Sequence, residues 1–205
     1  AASALALDSS QPRPYLIAAA ALTHMGRHDN ALRAVDAALA LTPDDPKALN
    51  SKASVLLNLG RFAEALPLLE RALRIEPTNS LASLNRGIVL YRLDQPRAAL
   101  DAFDQLLAIE PRHSDALINR SSVLVALKRP EEALQAADAA LGVRPDSVMA
   151  LLNRTAALLR LRRPREALAT ADRLLQLDSG HLKGLINRAL ALLTLGDFPE
   201  ALATT

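Results

Sequence analysis

The sequence predicts an all-α solenoid of antiparallel helix pairs, and three observations carry that prediction. Almost every position recurs at a step of 34 residues, most visibly at Pro43, Pro77, Pro111 and Pro145. Two adjacent columns never vary: Ala31, Ala65, Ala99, Ala133, Ala167 and Ala201, then Leu32, Leu66, Leu100, Leu134, Leu168 and Leu202. The chain is 50% hydrophobic but only 2% aromatic, so leucine and alanine must fill the core. A fixed period of this size means one small unit stacked repeatedly, each burying its face against its neighbours. Leucine and alanine also head the helix-propensity ranking, and small aliphatic side chains suit thin, closely packed helix layers.

Each unit reads as helix, short turn, helix. Residues 1–11 are a partial repeat, because Ala4, Leu5 and Leu7 fall in step with Ala38, Leu39 and Leu41 at the end of a second helix. That register, with no basic leader segment, argues against a signal peptide. Full repeats follow at 12–45, 46–79, 80–113, 114–147 and 148–181, with an incomplete repeat at 182–205. Residues 80–111 show the pattern. Ser80 is the predicted N-cap, and Leu84, Leu90 and Leu93 recur at helical spacing. Asp94, Gln95 and Pro96 then interrupt the helix, since proline cannot continue a hydrogen-bond ladder but suits a helix start. Ala99, Leu100, Phe103, Leu106, Leu107 and Ile109 form the second apolar stripe, and Pro111 closes the unit. The turns are marked by Gly26, Gly60, Pro96, Pro130, Pro164 and Gly196. Pro67 falls a turn into its second helix and is expected to kink or tighten it. With no polar capping helix at either end, the chain reads as a stretch of a longer array.

Composition excludes several classes of function. A formal charge of +2 gives no bulk attraction to nucleic acid, and no tryptophan, two tyrosines and three phenylalanines make no base-stacking platform. The absence of cysteine excludes disulfides, thiol catalysis and cysteine-ligated zinc. No uncharged apolar run approaches the ~18 residues of a membrane-spanning helix. His24, His28, His113 and His181 have no carboxylate in register to complete a metal site. No nucleophile–base pair, phosphate loop or carboxylate dyad is present, so neither catalysis, metal nor cofactor is predicted. Arg160, Arg162, Arg163 and Arg165 cluster at one turn, which reads as a solvated turn because the next carries Asp197 and Glu200. The alanine, leucine and arginine content suits a GC-rich bacterial gene, and the expected compartment is the cytoplasm.

These residues resemble the tetratricopeptide repeat family along the whole chain. The family's signature places small residues where Ala53, Gly87 and Ser121 stand, alanine at Ala65, an aromatic or apolar residue at Leu69 and Phe103, and proline at Pro77. Its early aromatic is replaced here by Leu49, Ser83, Leu117, Leu151 and Leu185, a change of core volume more than topology. The resemblance implies a right-handed superhelix whose first helices line a concave groove for peptides or protein segments.

Asn85, Asn119, Asn153 and Asn187 share one column, which Ile17 and Ser51 fill in earlier repeats. Asparagine is a poor mid-helix residue because its amide competes with backbone bonds, so four in register need a cause. Two readings stand. In one, each amide bonds the N–H and C=O of an extended ligand chain, as a similar ladder does in O-linked N-acetylglucosamine transferases. In the other, each asparagine ties down its neighbouring repeat. Binding selectivity in the first reading comes from the same stripe: Leu81, Ile88, Arg92, Met149, Arg160 and Leu190, with Asp115, Ser122, Ala126, Ala156, Lys183 and Thr194. Lys47, Arg92, Arg160 and Lys183 are too scattered to make the cationic clamp with which some family members hold chaperone tails.

A basic column, Lys52, Arg86, Arg120, Arg154 and Arg188, follows the asparagines. Sixteen residues before each cation lies an acid: Asp36, Glu70, Asp104, Asp138 and Asp172. At the first register both charges are missing together, at Ala2 and Ala18. The expected arrangement is therefore a charge pair across each repeat junction. The functional expectation is a non-catalytic scaffold holding an extended protein segment. The alternatives are the substrate-recognition arm of a larger enzyme such as an O-linked glycosyltransferase, or self-assembly through exposed terminal helices. The expected partner is a protein or peptide, with no nucleic acid and no membrane insertion.

Overall fold

The computed structural model describes residues 11–204, so the partial repeat expected at 1–11, apart from Gln11, and the vacant register at Ala2 lie outside the described residues. Helix dominates, and no strand occurs among the described residues. The helices are α1 (Pro12–His24), α2 (His28–Leu41), α3 (Pro46–Asn58), α4 (Phe62–Ile75), α5 (Ser80–Arg92), α6 (Pro96–Ile109), α7 (Ser114–Ala126), α8 (Pro130–Val143), α9 (Val148–Arg160), α10 (Pro164–Leu177), α11 (Leu182–Leu195) and α12 (Phe198–Ala203). Two compact units divide between Ala102 and Phe103. In the first, α1 to α5 each pack on the next, and α3 also packs on α1 and α5. In the second, α7 to α12 pack in the same succession, and α9 also packs on α7 and α11. First helices of neighbouring repeats thus form a continuous face within each unit.

The side chains at the junctions explain the close approach. Ala31, Ala65, Ala133 and Ala167 are wholly buried, where any larger side chain would force the helices apart. Leu49, Leu69, Leu151 and Leu174 are also buried to 1% exposure or less and fill the space that small columns leave. Both tyrosines, Tyr15 on α1 and Tyr91 on α5, belong to the first unit.

Helix starts follow one column. Asp45, Asn79, His113, Ser147 and His181 each accept a hydrogen bond from a backbone N–H in the first turn of α3, α5, α7, α9 and α11. The cap of α5 is therefore Asn79 and not Ser80, which is already helical. His113 and His181 accept through Nδ1, from the N–H of Ala116 and of Gly184.

The turn within each repeat has a rule that proline and glycine markers hide. Gly26, Gly60, Asp94, Lys128, Arg162 and Gly196 occupy one column, and all have positive φ, from 57 to 86°. Three repeats use glycine there. The other three place a non-glycine residue in the left-handed region and begin the next helix with Pro96, Pro130 or Pro164. Pro67 does not break α4, which runs unbroken from Phe62 to Ile75. Its ring lies on the exposed face, where the carbonyl it leaves unbonded can meet water.

Candidate functional site

The asparagine column lies on the first helices α5, α7, α9 and α11, and its members differ in what they bond. Asn85 Nδ2 donates to Asn50 Oδ1 at 2.9 Å, joining α5 to α3. Asn153 is only 7% exposed, and its Nδ2 donates to Ser121 Oγ at 2.7 Å, Ser122 Oγ at 2.8 Å and Ile118 O at 3.2 Å, joining α9 to α7. Asn119 instead donates to Asp115 O in its own helix. Asn187 is half-buried, with no partner among the described residues. At Asn85 and Asn153, then, the donor side of the amide is spent on holding neighbouring first helices together.

Three apolar members of the stripe stand clear of the core. Leu81 is 62% exposed on α5, Met149 is 49% exposed on α9 and Leu190 is 47% exposed on α11. Ile88 is half-buried, and Arg160 is exposed. Arg92 is not free of the fold, because its guanidinium lies over the Phe62 ring, 5.9 Å from the centroid. Asp115 forms an ion pair with Arg144 at 3.0 Å.

The acidic and basic columns meet at four junctions. Lys52–Asp36 is 2.7 Å, Arg120–Asp104 is 2.5 Å, Arg154–Asp138 is 2.7 Å and Arg188–Asp172 is 2.7 Å. Glu70 and Arg86 are the exception and correct the expectation of a pair at every junction. Arg86 Nε is buried without a hydrogen-bond partner. Glu70, one methylene longer than the aspartates of its column, projects to solvent instead. Two cations do more than was expected of them. Arg154 also donates to Thr170 Oγ1, while Arg188 donates to Thr204 Oγ1 and pairs with Glu200. Each therefore grips the second helix before it and the second helix after it.

A third set of charges escaped the sequence reading, although its spacing was visible. Arg61–Glu64, Arg129–Glu132 and Arg163–Glu166 are ion pairs at 2.6–2.7 Å across the start of α4, α8 and α10. In the repeat between, both residues are replaced together, by Gln95 and Ala98. Hydrogen bonds from the arginines hold these glutamate carboxyls below the usual carboxylate range.

Also missed was a recess of about 630 Å³ in the first unit, between α1, the start of α2, and α3. Asn50, Ser51, Ser54 and Asn58 line it from α3, with His24 and His28 opposite. Its signal lay in the columns: Asn50 stands where the other repeats carry Leu16, Leu84, Ile118, Leu152 and Ile186.

Among the described residues no cluster of histidine and carboxylate side chains could hold a metal ion, and no helix is long and apolar enough to cross a membrane. No curated protein matches the chain. Solved structures do. The type IV pilus biogenesis factor PilW has a TM-score of 0.86 at 17% identity, over 94% of this chain and 90% of that one. PilF of Pseudomonas aeruginosa has a TM-score of 0.84 at 18% identity, over 94% and 88%. YrrB, described as a tetratricopeptide repeat protein with an unusual peptide-binding site, has a TM-score of 0.69 at 23% identity, over 90% and 95%. At these identities the likeness is one of fold. The tetratricopeptide repeat family model matches residues 18–80, 84–148 and 156–204. A repeat that is matched throughout, built from paired helices with alanine at every junction, has one assignment: the chain belongs to the tetratricopeptide repeat family.

Proposed function

We propose that the chain is a non-catalytic scaffold that holds an extended peptide or protein segment along the face formed by its first helices. Members of this family are typically protein-interaction scaffolds, and YrrB is described as binding peptide. The observation that carries the reading is the exposure of Leu81, Met149 and Leu190 on that face, in the stripe that also holds the asparagines. Large apolar side chains kept in water on the asparagine-bearing side of α5, α9 and α11 serve contact with another molecule better than they serve the fold. The amides of Asn85 and Asn153 support the face by fixing first-helix spacing, and the apolar residues with Asn119 and Asn187 meet the ligand.

The test is selection from a displayed library of random peptides, comparing the wild-type chain with Met149→Glu/Leu190→Glu. Both positions are exposed, so melting should be unchanged. The wild type should enrich a peptide family that the variant does not retain. Equal enrichment by both proteins, or by neither, counts against this face.

A second reading has its own observation. Leu182, Ile186, Phe198 and Leu202 are exposed on α11 and α12, an apolar surface that favours association between copies of this chain. Light scattering should show mass rising with concentration, and Leu182→Glu/Leu202→Glu should abolish the rise. A constant monomer mass in the wild type rules it out.

A further inference from the structure

The recess in the first unit departs from its sibling positions at Asn50 and His28, where the other repeats are apolar. Along α3, Asn50, Ser54 and Asn58 follow at four-residue steps and so share one face, which also borders the recess. Asn50 replaces leucine or isoleucine in every other repeat. Ser51 stands in the asparagine column, and Ser54 in a mixed column of Ala20, Ile88, Ser122, Ala156 and Leu190. Opposite, His28 fills a column otherwise occupied by Phe62, Pro96, Pro130, Pro164 and Phe198, and its Nδ1 is buried with no partner. Asparagine and serine inside a helix cost stability relative to leucine, and an unmet buried nitrogen costs more. The bond from Asn85 gives Asn50 one partner in the fold, but the other repeats are built with leucine or isoleucine at its position, and His28 Nδ1 is left with no partner at all. Local choices that oppose the fold cluster at functional sites.

The chemistry of the walls narrows the ligand. No lysine, arginine, aspartate or glutamate lines the recess, so it has no fixed charge to neutralise an acidic or a basic segment. An aliphatic segment would cover Asn50, Ser54 and Asn58 without bonding them, and each stranded polar group is costly. Asn50 Oδ1 is already taken by Asn85, which leaves its Nδ2 hydrogens as donors. Serine hydroxyls and the Asn58 amide both donate and accept. We propose that this recess is a specificity pocket for an uncharged, hydrogen-bonding stretch of peptide, rich in asparagine, glutamine, serine or threonine. The proposal rests on the peptide-binding reading of the first-helix face and adds to it the class of sequence selected.

The siblings supply the test variants. Asn50→Leu/Ser54→Ile installs residues that other repeats carry at these positions, filling the recess with side chains the fold accepts. Asn58→Ala, at the exposed rim, leaves the interior untouched. Four synthetic peptides of about a dozen residues each, one rich in asparagine, glutamine and serine, one acidic, one basic and one aliphatic, are titrated against each protein by fluorescence polarisation. The wild type should bind the uncharged polar peptide about tenfold or more tighter than the others. Asn50→Leu/Ser54→Ile should erase that preference while the protein keeps its helicity, with some stability lost because the Asn85 amide loses its acceptor. Asn58→Ala, which leaves that bond intact, should weaken the preference without a change in melting. Unchanged affinities in both variants overturn the pocket, as does a preference for a charged or aliphatic peptide. If Met149→Glu/Leu190→Glu loses binding while the recess variants keep it, the face stands and the pocket falls. If the wild type binds none of the four, the pocket falls, and the face stands or falls on the library selection.

Discussion

Asn153 shares its two amide hydrogens among Ile118 O, Ser121 Oγ and Ser122 Oγ, and no apolar side chain can replace it without stranding buried acceptors. Asn153→Ala should cost about 1–2 kcal/mol in chemical denaturation. Asn119→Ala should change stability by less than about 0.5 kcal/mol, since its bond lies on the surface of its own helix. Equal losses would mean the column acts uniformly, which the geometry does not support. Glu70 offers the converse experiment. Glu70→Asp shortens the side chain to that of its column and brings a carboxylate within reach of Arg86, so stability should rise by about 1 kcal/mol. The reverse change, Asp104→Glu, should lower it by breaking the 2.5 Å contact with Arg120. The asparagine and charge columns were both legible in the sequence. Which way each amide points was not, because it depends on what the preceding helix presents: Asn50 to Asn85, but Ser121 and Ser122 to Asn153.

Helices in this chain are delimited more by their ends than by their interiors. The left-handed column sets every turn within a repeat, and three of its members carry a side chain where φ is positive. A non-glycine residue there costs roughly 1 kcal/mol. Lys128→Gly, at φ 58°, should therefore raise the denaturation midpoint, while Gly60→Ala, at φ 72° and with open space around it, should lower it through the backbone alone. The arginine–glutamate pairs at the second-helix starts have a sign that pH can reveal. Arg129 depresses the Glu132 carboxyl, so the pair's contribution is complete above the ordinary glutamate range and is lost as pH falls through the lowered value. In carboxyl NMR, Arg129→Gln should move the Glu132 midpoint upward, and an unmoved midpoint would mean that the pair is not kept in solution. Helix positions followed directly from the 34-residue step. The turn rule did not, because glycine and proline occupy different positions of the same turn and look like alternatives only when the chain is read linearly.

Across the whole molecule the alanine columns are the constraint that all repeats share. Ala133 is wholly buried in α8, and α8 packs on both α7 and α9. Ala133→Leu should cost at least 1–3 kcal/mol, the usual range for overpacking, as measured by thermal and chemical denaturation. A neutral result would show that the junctions can open. The fold class was legible because each repeat restates the same pattern, so errors in reading one are corrected by the next. The recess was hidden for the same reason: a consensus view averages away Asn50 and His28, whose meaning lies in their disagreement with the other repeats.

The placement of the two tyrosines has a practical consequence for all of these measurements. With no tryptophan in the chain, Tyr15 and Tyr91 are its only useful fluorophores, and both sit before Ala102. Intrinsic emission during unfolding is thus a local signal, blind to events around Asn153 or Ala133, whereas circular dichroism sees every helix. A disagreement between the two probes would first reflect where the light comes from, before it says anything about intermediates. A tryptophan at Met149, exposed and on the proposed binding face, would give the second half of the chain its own colour.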